Sequence, residues 1–133
     1  MSPIFSKLNL TTQETIFVLD APESFQEELS RLSGIEIVDD LKSPGVLAFA
    51  LVFVIQKSQI DRIAPALAKK AKGDAIVWFA YPKGTSKKYQ CDFNRDTGWD
   101  TFKALGFDTV RQVAIDADWS ALRFRRVEFI GSR

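Results

Sequence analysis

The stretch from Val46 to Asn94 leaves this chain few choices of fold. Phe49 to Ile55 reads FALVFVI and Ala75 to Tyr81 reads AIVWFAY, two runs that are apolar throughout. A strand with one wetted face alternates apolar and polar residues, so an unbroken run implies cover on both faces. Between the runs, Ile60, Ile63, Ala64, Leu67, Ala68 and Ala71 recur at helical spacing. Ser58-Gln59-Ile60-Asp61 fits a capping box that opens this helix, and Lys69, Lys70 and Lys72 suit its negative end. Gly73 stands where a left-handed cap is wanted, whereas Pro65 removes a hydrogen bond and predicts a bend. Two buried strands joined by a helix are parallel, with a right-handed crossover.

The flanks extend this unit. Ser2 to Thr12 reads as a lead-in, with Lys7-Leu8-Asn9-Leu10 packing across the sheet edge. Thr15 to Leu19 is a strand, and Phe25, Leu29 and Leu32 mark a helix from about Pro22 to Ser33, capped by Gly34. Ile35 to Val38 is a short strand running into Asp39-Asp40. Beyond the central unit, Thr97-Gly98-Trp99-Asp100 fits a second capping box. It opens a short helix that turns Trp99, Phe102 and Leu105 inward and ends at Gly106. Phe107 to Ile115 and Trp119 to Phe129 flank the turn-prone Asp116-Ala117-Asp118 and form a hairpin.

A chain of 133 residues forms one domain, residues 1–133. Without histidine there is no Ser-His-Asp triad, and with one cysteine there is neither an internal disulfide nor a zinc ligand set. No carboxylate spacing suggests another metal. A net charge of +1 argues against wrapping nucleic acid with the whole surface and leaves a local contact open. Met1 to Ser6 has no signal-peptide character, no apolar run reaches membrane-spanning length, and the lone Cys91 suits a reducing cytoplasm.

The order βαβ–βαβ–α–hairpin resembles the Rossmann-like fold of S-adenosylmethionine-dependent methyltransferases, with the third strand and a helix missing. The segments KLNLTTQETIFVLDAPESF, FALVFVIQKSQIDRIAPALAKKAKGDAIVWFAYPKGTSKKY and GFDTVRQVAIDADWSALRFRR together cover nearly the whole chain. They resemble a small bacterial family known only as a domain of unknown function, which implies a fold and brings no catalytic residues. The fold class is therefore α/β: a three-layer Rossmann-like sandwich whose mostly parallel sheet, of about six strands, ends in an antiparallel β-hairpin.

In such sheets ligands bind beyond the carboxyl ends of the strands. That edge should collect Asp20, Asp39, Lys57, Tyr81 and the loop Lys83-Gly84-Thr85-Ser86-Lys87-Lys88-Tyr89, with Arg95 nearby and the Asp116 to Ser120 turn, which carries Asp116, Asp118 and Trp119. Lys83, Lys87 and Lys88 could hold a phosphate, a carboxylate or a nucleic-acid backbone, or could simply keep a connection soluble. The P-loop spacing is absent. Asp116 and Asp118 could do acid–base work or serve the turn. Cys91 has no basic partner in sequence and reads as inert. Trp78 and Trp99 read as core.

A cofactor fingerprint would need glycines after the first strand, where this chain has Asp20-Ala21-Pro22-Glu23. That disfavours S-adenosylmethionine, although Asp39 lies about 20 residues on, where such folds place a ribose-binding carboxylate. Three readings stay open: a cytoplasmic module binding a small anionic ligand or a protein, a methyltransferase, and an interaction domain using the hairpin edge. The expected state is a monomer or weak dimer.

Overall fold

The computed structural model describes residues 3–42, 45–94 and 96–130. Its strands are β1 (Thr15–Leu19), β2 (Glu36–Val38), β3 (Leu47–Phe53), β4 (Ala71–Pro82), β5 (Phe107–Ala114) and β6 (Trp119–Arg126). They form one six-stranded sheet in the order β2-β1-β3-β4-β6-β5. β2, β1, β3 and β4 pair in parallel, while β6 runs antiparallel to both β4 and β5. The chain steps from β1 to β2 on one side and then to β3 on the other, which puts the reversal of strand order between β1 and β3.

The unbroken apolar runs are covered as their composition requires. On one face Phe17, Ala50, Val52, Val77, Phe79 and Phe124 pack against α3 (Lys57–Lys70) and α4 (Asp100–Ala104) through Ile60, Ala64, Leu67 and Phe102. On the other, Ile16, Val18, Phe49, Leu51, Phe53 and Trp78 pack against Phe5, Leu8, Leu10 and Phe25. This second layer is built from α1 (Pro3–Lys7), a 3-10 turn (Glu23–Phe25) and α2 (Gln26–Ser30). Trp78 and Trp99 are core residues, at 0% and 2% exposure. Among the described residues no helix is long and apolar enough to cross a membrane.

Local departures from the sequence reading have physical causes. The N-terminal segment is a helix, and Leu8 and Leu10 are buried beneath the sheet because the Trp78 indole donates a 2.8 Å hydrogen bond to the Leu8 carbonyl. The second helix stops at Ser30, with no side-chain cap at either of its two short segments. At α3 the capping box is made by amides: Gln56 is the N-cap, and Gln59 Oε1 accepts the N–H groups of Ile55 and Gln56 at 2.7 and 2.9 Å. α3 runs through Pro65 and ends on extended Ala71, where Arg126 donates to the Ala68 and Ala71 carbonyls. Gly73 (φ +56) serves a bulge in β4: Leu47 pairs with Ala71 and Phe49 with Ile76, so β4 carries the extra residues. Thr97 does not cap α4, because it closes a turn with Asn94. β6 gives way to a 3-10 turn at Val127–Phe129.

Asp61 ties α3 to α4 by accepting hydrogen bonds from Lys57 Nζ at 2.8 Å and Thr101 Oγ1 at 2.7 Å. These bonds, with Lys57 the larger cause, hold its carboxyl below the usual range. A carboxyl depressed in the folded state stabilises above its unfolded pKa, and that contribution is lost as pH falls through the folded value. Asp61→Asn should therefore flatten the loss of stability below about pH 4. Urea midpoints of the two proteins across pH 2–6, with equal slopes on the acid side, would show that the tie contributes nothing.

Candidate functional site

The carboxyl end of β4 opens into a cleft of about 720 Å³ beneath the connection from Lys83 to Asn94. Small-molecule sites typically span about 300–1,000 Å³. Its inner wall is aromatic. Tyr81 packs its ring 5.9 Å from both Phe93 and Trp99, continuing the cluster in which Phe79 meets Trp99, Phe102 and Phe124. Polar groups are set into this wall: Gln112 of β5 donates to the Tyr81 hydroxyl at 3.0 Å, and Ser120 of β6, 6% exposed, also lines it. Gln90, Asn94, Thr85 and Ser86 add amides and hydroxyls from the loop. Among the described lining residues Lys83 is the one charged side chain, and none is a carboxylate. Cys91 also lines the cleft, and burial pushes its thiol up, which keeps it protonated and weakly nucleophilic at neutral pH.

The loop is fastened to the hairpin turn. The Lys83 N–H donates to the Asp118 carbonyl at 2.8 Å, and Ser86 Oγ donates to Asp118 Oδ1 at 2.9 Å. Asp116 shapes the turn itself, its Oδ1 accepting the N–H groups of Asp118 and Trp119 at 2.8 and 2.9 Å. Trp119 is 3% exposed and sits between Phe53 and Tyr89, at ring distances of 5.0 and 4.9 Å. Its indole thus anchors the loop from below, through Tyr89.

The remaining sequence candidates fall elsewhere. Lys87 and Lys88 are exposed and stand outside the cleft's lining. Lys57 is held by Asp61 and by Asp100, 3.7 Å away, in the α3–α4 layer. Asp39 is exposed beyond β2, and Arg95 lies outside the described residues. Asp20 lies at the switch point between β1 and β3, beside a smaller hollow of about 220 Å³ lined by Val52, Val54, Gln59 and Arg62. Its φ of +58 is the left-handed conformation that glycine adopts most readily. The sequence reading placed the Asp116 to Ser120 turn at this edge, and Ser120 does line the cleft, but it missed Gln112, Phe93 and Asn94. The one signal for Gln112 was a polar residue inside a strand, and the pairing shift between Thr109 and Arg111 hides which face it occupies.

No family model and no curated protein matches the chain. Solved structures do match. LepI, solved with SAM, is 12% identical at a TM-score of 0.54, over 93% of this chain and 46% of that one. Magnesium protoporphyrin IX methyltransferase (ChlM) from Synechocystis PCC 6803, with bound SAH, is 12% identical at a TM-score of 0.58, over 92% and 78%. The [4+2]-cyclase SpnF is 9% identical at 0.63, over 92% and 78%. This chain has a Rossmann-like, methyltransferase-like fold. It spans less than half of LepI and about three-quarters of the other two. At these identities the likeness concerns the fold, and one fold hosts many functions.

Gly98 holds the cleft's aromatic wall in place. Its φ is +94, and an added Cβ would lie 2.7 Å from Phe93 Cβ. Gly98→Ala should cost about 1–3 kcal/mol through backbone strain and displacement of Phe93. Urea unfolding reads the loss, and a change under a few tenths of a kcal/mol would mean the turn yields without strain.

Proposed function

We propose that this chain is a ligand-binding module on a methyltransferase-like fold, and that its site is the cleft at the end of β4. The observation that carries this reading is the lining: aromatic rings, amides and hydroxyls gathered round one ammonium, with no carboxylate among the described residues. Aromatic walls suit a planar ring, amides and hydroxyls fix its orientation, and Lys83 complements a single anionic group. The ligand class is therefore a small planar anion, such as an aromatic carboxylate. Lys87 and Lys88 add only screened, longer-range attraction from the surface.

A second reading, S-adenosylmethionine chemistry, draws support from LepI solved with SAM and ChlM solved with SAH. Against it, the switch-point hollow of about 220 Å³ is below the usual size of a ligand site. The turn beside it also carries Asp20 in the conformation glycine prefers, followed by a proline without an N–H.

Amide chemical shifts read during titration with nicotinate, a planar aromatic carboxylate, separate the two readings. The cleft reading expects shifts at residues 81–94, Gln112 and Ser120, with binding about two- to fivefold weaker in Lys83→Gln. S-adenosylmethionine should give no calorimetric dissociation constant tighter than about 10 μM, roughly −7 kcal/mol. Shifts confined to residues 19–23 and 52–66, or tight S-adenosylmethionine binding, would replace this reading with the second.

A further inference from the structure

A second polar feature lies on the opposite face of the sheet from the cleft's aromatic wall. β6 runs Arg123-Phe124-Arg125-Arg126, and its alternation sends Phe124 into the α3–α4 core while Arg123 shares the other face with Trp78. Arg123 pairs directly across the ladder with Arg111 of β5. Like charges in direct cross-strand register are destabilising, so this pairing costs stability in the isolated protein. Arg125, two residues along, is held by Asp74 through Nε–Oδ1 and Nη2–Oδ2 bonds of 2.9 and 2.6 Å.

Arg123 itself is under-satisfied. Its Nη1 donates to Asn9 Oδ1 at 3.2 Å, a neutral acceptor, and its Nε is buried with no hydrogen-bond partner among the described residues. Burial first, then the neighbouring Arg125 and Arg111, disfavour its charged form, and Asp74 only partly offsets them. A buried donor left unpaired is rare enough to need a cause. Asp108, directly across the ladder from Arg125, is offset by Lys103, 3.8 Å away, so among the described residues the three guanidiniums and Asp74 leave a charge of +2 on this patch.

We propose that Arg111, Arg123 and Arg125 form an oxyanion site for a phosphate monoester on the β5–β6 face of the sheet. A monoester carries about −1.5 to −2 charges at neutral pH, which balances the patch, whereas a phosphodiester carries one. The planar forks of Arg111 and Arg123, on adjacent strands about 5 Å apart, suit two oxygens of one phosphoryl group. The site is independent of the β4 cleft.

The test is a thermal-shift titration with glycerol phosphate, a monoester whose second ionisation lies near pH 6. At about 10 mM the melting temperature should rise by about 2–5 °C. Binding should be about fivefold tighter at pH 7.5 than at pH 5, while sulfate, a dianion at both, should show no such change. Arg111→Gln is exposed and should fold normally, and it should melt about 1–3 °C higher without ligand because the like-charge pair is gone. It should nevertheless lose the response to glycerol phosphate, as should Arg123→Gln, whereas Lys83→Gln should keep it. A response that survives both arginine variants, or vanishes in Lys83→Gln, would overturn the proposal. So would an Arg111→Gln protein no more stable than the parent, or an oligonucleotide that binds more tightly than the monoester with a steep salt dependence.

Discussion

β3 and β4 are buried on both faces, and the rest of the molecule follows from that constraint. A backbone enclosed in apolar side chains has no water to satisfy its N–H and C=O groups, so each must pair along the ladder. The pairing fixes β1 and β6 as neighbours, and the two faces each require a helical layer. The aromatic cluster around Phe79 does the same work in three dimensions: it joins β4 to α4 and β6 through Trp99, Phe102 and Phe124. Edge-to-face rings at these separations contribute about 0.5–1.5 kcal/mol per pair beyond simple burial.

The candidate sites lie at the margins of this ladder. Where β4 leaves the sheet, the same aromatic cluster continues through Tyr81 and Phe93 into the wall of the cleft. The first part of the loop above the cleft is held by polar contacts to the Asp118 carbonyl and carboxylate, and its later part by the Tyr89 and Phe93 rings. On the β5–β6 side the second face is occupied by arginines rather than by a helix's apolar stripe, and there the structure tolerates an unfavourable charge pairing.

The fold was readable because its strongest signals are local and periodic. FALVFVI and AIVWFAY announce covered strands, and a helix-spaced stripe between them leaves only a parallel crossover. Capping was less readable: Gln56 and Gln59 do at α3 what Ser58 and Asp61 were expected to do, because an amide can reach the same N–H groups. The N-terminal helix gave no warning, since its position depends on a bond between Trp78 and Leu8, 70 residues apart. The cleft was half legible. The Lys83–Tyr89 loop and the Asp118 turn could be brought together from strand direction alone. Gln112 could not, because a shifted register in β5–β6 decides which β5 side chains reach the wall.

The central ladder is rigid and the loop above the cleft is more loosely held, and native-state hydrogen exchange measures that contrast directly. Amides of Phe49–Phe53 and Val77–Ala80 should exchange only through global unfolding, with opening free energies equal to the stability from urea denaturation. Amides between Lys83 and Lys88 should open at a fraction of that free energy, without unfolding β4. Central-strand amides that exchange through the same low-energy opening as the loop would contradict the account, because the aromatic wall would then be no more fixed than the loop above it.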